Sequence, residues 1–154
     1  MKKLSLLLAL VFVFGSLGAV YAEEKLTGSD LAEIEQLYGR YNQGSDFRDV
    51  DLWLSAFSSD AVFSVGGNEF VGTEALRGFR TASFERSKDS PPRRHWTSSL
   101  VITPTADGAQ GRSYYFVLNV GSRPPAIGGS GYTEDTFVKT EDGWRMKSRT
   151  LTGP

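Results

Sequence analysis

Cysteine is absent from the sequence, and histidine occurs once, as His95. Without cysteine no disulfide can form, so packing alone must stabilise the fold. Transition-metal sites usually combine several imidazole, thiolate or carboxylate ligands, and a single imidazole without any thiol argues against such a site. We therefore expect neither a bound metal nor a cofactor.

Long apolar runs are also absent, except at the N-terminus. Lys2 and Lys3 precede the apolar residues 4–13, and small residues follow at the positions that a signal peptidase reads, ending at Ala22. A membrane anchor is the alternative, but the run is shorter than the ~20 residues that a membrane span needs. We predict a bacterial secretory signal over residues 1–22, cleaved after Ala22, and a periplasmic or secreted protein without membrane attachment.

An excess of charge is missing too, since 17 basic residues stand against 18 acidic ones. Loss of the signal removes Lys2 and Lys3 and leaves residues 23–154 mildly acidic. Such a chain has no electrostatic footprint for nucleic acid or anionic lipid, so we expect no nucleic-acid partner. Its length suits a single domain with a buried core.

Helical patterns occupy the first part of this domain. A helix start is predicted around Asp30, which has capping-box spacing to Glu33, and the helix is predicted to end at residues 42–45. A second, short helix is predicted over residues 50–57 and a third from a cap at Thr73. The apolar stripe of the first helix comprises Leu31, Ile34, Leu37, Tyr38 and Tyr41.

Strand patterns occupy the rest. A hairpin of residues 61–65 and 69–71 precedes the third helix, and a flexible loop is predicted at residues 121–131. Helices followed by a meander of long antiparallel strands indicate an α+β domain. The long strands are predicted at residues 95–103, 109–120, 131–139 and 144–151.

The strand at residues 113–120 is apolar on both faces, because Tyr115 and Val117 alternate with Tyr114 and Phe116. An antiparallel sheet usually leaves one face to solvent, so something besides the helices must cover the second face. A second copy of the protein is the simplest cover, and we predict a homodimer. Alternation from His95 places Thr97, Ser99 and Val101 on its own face, and Trp96, Leu100 and Ile102 on the other.

Several short motifs occur in an order that is typical of one protein family. They are Arg40-Tyr41, Asp46, Asp49, Asp51, FSSDAVF at 57–63, FVG at 70–72, Arg94-His95, residues 111–115, and DTFVKTEDGWR at 135–145. Between about Leu31 and Arg149 the chain thus resembles SnoaL-like proteins of the nuclear transport factor 2-like superfamily. The resemblance implies a cone, in which a strongly curved antiparallel sheet and three helices enclose one pocket.

His95 is the candidate general base, because an imidazole exchanges a proton near neutral pH and this one matches the family's pocket histidine. Asp46 matches the family carboxylate that pairs with that histidine and fixes its tautomer. Each residue also has an ordinary interpretation: a polar strand start, and a helix cap for which Asp49 and Asp51 compete. We predict contact between Asp46 and His95, and leave open whether the pair is catalytic.

Tyr114 and Tyr115 are further catalytic candidates, because a phenol can donate a hydrogen bond to a developing oxyanion. Two departures distinguish this chain from scytalone dehydratase, a member of that superfamily. Ser45 stands where that enzyme has a tyrosine, and Tyr114 lies near the position of its second histidine. A close copy of that mechanism is therefore not expected.

Aromatic side chains are interpreted as core or pocket wall, with core packing preferred for Tyr41. Together they predict a small, apolar ligand, since pockets of this kind are lined mainly by such groups. The basic residues between Arg80 and Arg94 are interpreted as a solvated loop near the pocket mouth, with recognition of an anionic ligand as the alternative. The favoured function is cofactor-free acid–base chemistry of lyase, dehydratase or isomerase type. A binding module without turnover and a dimeric assembly partner stay open. The candidate ligand-binding residues are Tyr41, Trp53, Phe63, Phe79, Phe116 and Phe137.

Overall fold

The computed structural model describes residues 25–153. The predicted signal, residues 1–22, lies outside this range. No helix within residues 25–153 is long and apolar enough to cross a membrane. In chain order the elements are α1 (Gly28–Asp46), α2 (Val50–Leu54), β1 (Phe57–Val65), β2 (Asn68–Val71), α3 (Gly72–Arg86), β3 (Arg93–Thr105), β4 (Gly108–Asn119), β5 (Ala126–Thr140) and β6 (Gly143–Thr152).

The six strands form one sheet in the order β2-β1-β6-β5-β4-β3. Neighbouring strands are antiparallel except β1 and β6, which run parallel. The sheet is therefore mixed rather than wholly antiparallel, because β6 ends the long meander and meets a hairpin formed before it. The α+β class and the cone of three helices against a curved sheet are confirmed.

The first helix begins with a capping box in which Thr27 is the N-cap and Asp30 its partner. The capping box thus lies one turn earlier than predicted, because Asp30 is its second residue and not its first. The helix also continues through residues 42–45 to Asp46, because Gly44 packs directly against the backbone of Trp53 and lets α1 meet α2. The predicted stripe is buried at Ile34, Leu37, Tyr38 and Tyr41, but Leu31 is exposed.

Three other boundaries differ from the predictions. Residues 58–60 lie inside β1 instead of ending a helix. Thr73 is not a cap, because α3 already begins at Gly72 and its N-cap makes no side-chain hydrogen bond. β5 begins at Ala126, so the loop predicted at 121–131 is half as long and the rest pairs with β4.

A β-bulge at Ser99 changes which side chains of β3 face the helices. Ser99 has a φ of +55°, and the pairing with β4 shifts between Ser98 and Val101. One extra residue reverses the alternation beyond it. Leu100 and Ile102 therefore pack against the core, whereas Val101 is exposed. The predicted alternation is wrong on the C-terminal side of this bulge.

Candidate acid–base site

Asp46 holds His95 by both its backbone and its ring. The Nδ1 atom of His95 lies 2.6 Å from Oδ1 of Asp46. The backbone N–H of His95 donates to both carboxylate oxygens, at 3.1 and 3.0 Å. The Asp46 side chain is 5% exposed and that of His95 is 26% exposed. The predicted contact is present, and it leaves part of the imidazole accessible.

This arrangement determines what the imidazole can do. A carboxylate only accepts hydrogen bonds, so in the neutral ring the proton lies on Nδ1 and Nε2 keeps its lone pair. Nε2 can therefore accept a proton from a molecule bound at the site.

Chain geometry on both sides fixes the pair. Asp46 is the last residue of α1, and His95 lies near the start of β3. One helical turn earlier, the Asn42 amide donates to Thr97 Oγ1 at 3.1 Å. Two contacts one turn apart thus hold the end of α1 on β3. Thr97 in turn pairs with Tyr115 of β4.

Aromatic rings fill the space between α1, α2, α3 and β1. The ring centroids of Tyr41 and Trp53 lie 5.6 Å apart, those of Trp53 and Phe63 5.4 Å, and those of Phe63 and Phe79 5.2 Å. We call these four residues the aromatic wall. Separations of this size are those of packed aromatic pairs. The structure thus brings together four of the six predicted ligand-binding residues.

Tyr115 and Phe137 also face the helices, at different positions. Tyr115 is partly buried, and its pKa is raised by burial and then by the neighbouring Tyr41. Phe137 is fully buried and its ring lies 6.1 Å from that of Tyr38, one turn before Tyr41 on α1. Tyr115 therefore joins the cluster at Tyr41, whereas Phe137 packs one turn earlier along α1.

Tyr114 and Phe116 lie on the opposite face of the sheet, so they do not join this cluster. The reason is the alternation of β4, in which Ser113 and Tyr115 face inward. Phe116 stacks on Trp96 at 5.9 Å, and Tyr114 is 61% exposed. Tyr114 borders an open hollow of about 700 Å³ on this outer face.

A buried ion pair lies among the inner residues and was not predicted. Nη1 of Arg149 donates to both carboxylate oxygens of Asp135, at 3.2 and 3.1 Å. Asp135 also accepts from the hydroxyls of Tyr38 and Thr133, at 2.7 and 2.8 Å. Burial raises the pKa of Asp135, while Arg149 opposes that rise.

Arg80 is a second buried cation, which corrects its assignment to a solvated loop. It lies on α3 and is 8% exposed. Its Cζ is 4.2 Å from the ring centroid of Trp53 and 5.7 Å from that of Tyr41. The sequence did contain a signal, because Arg80 follows the buried Leu76 by four residues and shares its helical face.

Metal ligands are not clustered in the part of the chain that the structure describes. Among residues 25–153, no group of three or more His, Cys, Asp or Glu side chains is arranged to hold a metal ion.

Comparison with known proteins identifies the family. A family model described as a SnoaL-like domain matches residues 27–150. This chain belongs to the SnoaL-like family. The match spans α1 and nearly all of β6, so the SnoaL-like domain comprises every element described above. No curated protein matches the chain.

Solved structures share the SnoaL-like fold of this chain. A protein of unknown function with a cystatin-like fold from Nostoc punctiforme is 27% identical, with a TM-score of 0.76 over 85% of this chain and 96% of its own. A protein of unknown function from Mycobacterium tuberculosis is 27% identical, with a TM-score of 0.73 over 83% and 78%. ActVI-ORFA from Streptomyces coelicolor, at 23% identity and a TM-score of 0.74 over 82% and 96%, supports the fold alone.

Proposed function

We propose that this SnoaL-like protein performs cofactor-free general acid–base chemistry on a small, largely apolar molecule. The reaction type is that of a lyase, dehydratase or isomerase. The observation that carries the proposal is the clamp of Asp46 on His95, which leaves Nε2 as a proton acceptor on the face of the sheet that also carries Tyr115. An imidazole oriented by a carboxylate is a common form of general base.

The proposed reaction begins when Nε2 of His95 takes a proton from a carbon of the bound molecule. In an elimination, the electron pair left on that carbon forms a double bond to the neighbouring carbon, which loses its leaving group together with the bonding pair. In an isomerisation, the electron pair shifts along the molecule and another carbon takes the proton from the imidazolium. Asp46 stabilises the imidazolium during this step. Of the two predicted donors to an oxygen that gains negative charge, Tyr115 is the candidate, because Tyr114 lies on the outer face of the sheet.

The test follows proton transfer on whatever small molecule the protein itself retains. Protein isolated gently without a tag is analysed by mass spectrometry for such a molecule, which is then incubated with fresh protein in D₂O. Wild type should introduce deuterium or form a product. His95→Ala should slow this by about 10²-fold or more, the usual contribution of a general base. Tyr115→Phe should also slow it, whereas Tyr114→Phe, on the outer face, is the matched control and should not.

Equal rates for wild type and His95→Ala would contradict the proposal.

A binding module is the second candidate, because one imidazole must serve as both acid and base. A binding module would retain a ligand that takes up no deuterium and forms no product. His95→Ala would then change the affinity for that ligand only modestly, since the aromatic wall would make most of the contact.

We also propose export, on the basis of residues 1–22 alone. N-terminal sequencing of the mature protein should begin at Glu23. An intact Met1 in a membrane fraction would contradict this proposal.

A further inference from the structure

The two buried arginines of the interior differ in how their charge is balanced. Arg149 forms an ion pair with Asp135. Within residues 25–153 no carboxylate forms an ion pair with Arg80. Its Nε has no hydrogen-bond acceptor there, which is equally true of Nε of Arg149 and of Nε1 of Trp53, on whose ring Arg80 lies. Two unpaired donors are thus buried side by side.

Leaving a charge in this state is costly. An ion removed from water loses several kcal/mol of solvation, which a partner must offset. Aromatic contacts and a hydrogen bond with Tyr41 offset only part of this, since a cation–π contact is worth about 2 kcal/mol when desolvated. Burial, and to a smaller degree the nearby charge of Arg149, lower the pKa of Arg80, while Tyr41 opposes this. The interior therefore favours an added negative charge beside Arg80.

The position of Arg80 defines what kind of anion would fit. Its flat face is covered by Trp53, but the N–H donors of a guanidinium lie in its plane and point sideways. That edge matches the two oxygens of a carboxylate. The rings of Tyr41, Phe79 and Phe84 lie 5.7, 5.4 and 5.6 Å from Cζ of Arg80, so apolar groups surround the guanidinium and the rest of such a ligand would have to be apolar.

We infer that Arg80 is the anchor for the carboxylate of a small apolar acid, whose hydrocarbon part packs on the partly exposed rings of Phe79 and Phe84 beside it. This inference deepens the proposed function by naming its substrate class, and it rests on the same site. It does not require turnover, because binding of the carboxylate and proton transfer at His95 use different residues.

The experiment compares small aryl and alkyl carboxylates with their neutral amides. Calorimetry on wild type should detect at least one carboxylate, and its amide should bind about tenfold more weakly or not at all. Arg80→Met keeps the length and loses the charge, so it should weaken carboxylate binding by about tenfold or more, with Arg80→Lys intermediate. Arg77→Met, an exposed arginine on the same helix, is the control and should bind as wild type does.

Thermal unfolding separates binding from a merely structural role. A structural role predicts that Arg80→Met lowers the melting temperature without ligand, whereas an anchor for a ligand predicts an unchanged or higher value, because an unpaired buried charge is removed. The inference is overturned if Arg80→Met binds carboxylates as wild type does, if amides bind equally well, or if no carboxylate binds wild type. Carboxylate binding that needs Arg80, without any deuterium exchange, would retain the anchor and reject the proposed chemistry.

Discussion

Single residues in the interior depend strongly on their partners. Asp135 is fully buried and compensates the charge of Arg149, which is also fully buried. Burial opposes the charge of Arg149, but Asp135 and two tyrosines more than offset this, so the pKa of Arg149 lies above its usual value. Arg149 thus stays charged and needs its carboxylate partner.

Asp135→Asn should lower the free energy of unfolding by about 3–5 kcal/mol, because it leaves a buried guanidinium without its counter-charge. Urea unfolding followed by Trp fluorescence measures the change. Glu134→Gln is the control on the same strand, since Glu134 pairs with Arg112 on the exposed face, and its effect should stay within about 0.5 kcal/mol. Equal effects of the two substitutions would show that the buried pair is not needed.

At the scale of the elements, α1 is positioned by a close backbone contact near its end. A Cβ added at Gly44 would lie 2.5 Å from the backbone nitrogen of Trp53. This contact holds the end of α1, and hence Asp46, against α2. The same helix contains Gly39, where an added Cβ would have no neighbour within 4 Å.

Gly44→Ala should therefore destabilise the protein by about 1–3 kcal/mol through overpacking. Gly39→Ala should be neutral or stabilising by up to about 1 kcal/mol, because alanine favours helix. Thermal unfolding of the two variants gives the comparison. The packing argument fails if Gly44→Ala is as stable as Gly39→Ala.

The start of α1 is tied to the last hairpin through Asp30. Its carboxylate accepts from Thr27 Oγ1, Lys139 Nζ and Trp144 Nε1, at 2.6, 2.7 and 2.8 Å. The hydrogen bond of Lys139, followed by those of Thr27 and Trp144, holds the pKa of Asp30 well below its usual range. Asp30 thus links the first element of the domain to the last two strands.

Because the pKa of Asp30 is lower in the folded than in the unfolded state, its ionised carboxylate stabilises the fold at pH values above the usual carboxyl pKa of ~3.9. This contribution is lost as the pH falls from there through the lower pKa of the folded state. Asp30→Asn should therefore be less stable than wild type at pH 7, and the difference should shrink below about pH 4. Urea midpoints at pH 7, 5 and 3 measure it. A difference that is constant over this range would contradict the assignment.

At the scale of the whole molecule, the outer face of the sheet exposes large side chains. Trp96, Val101, Tyr114 and Ile127 are all exposed. Alternation predicted Leu100 and Ile102 on this face beside Trp96, but the bulge at Ser99 turns both inward and leaves Val101 outside. The homodimer therefore remains a prediction, but with different residues at its interface.

Light scattering of the mature protein at micromolar concentration should return twice the mass of one chain. Val101→Glu or Tyr114→Glu should shift it toward the monomer, because a charge in an apolar interface is costly to bury. Ser98→Glu, also on an exposed position of β3 but polar in wild type, is the control and should have a smaller effect. A wild-type mass of one chain would exclude the dimer.

Regular patterns made most of the fold predictable from the sequence. The stripe of α1 and the alternation of β4 depend on local periodicity, and the motif order indicated the family and the pairing of Asp46 with His95. Irregular or long-range features could not be predicted in this way. The bulge at Ser99 has no local signature, and the burial of Arg80 and Arg149 depends on contacts between distant elements.

The central claim is that Asp46 keeps the Nδ1 proton of His95 in place and leaves Nε2 as the base. Nitrogen NMR of the imidazole measures this directly, and a tag-free chain has only one histidine, so no assignment is needed. For the neutral ring, wild type should show the proton on Nδ1, and Asp46→Ala should shift the population toward the form protonated on Nε2. A proton found mainly on Nε2 in wild type, or the same spectrum in both proteins, would contradict the account.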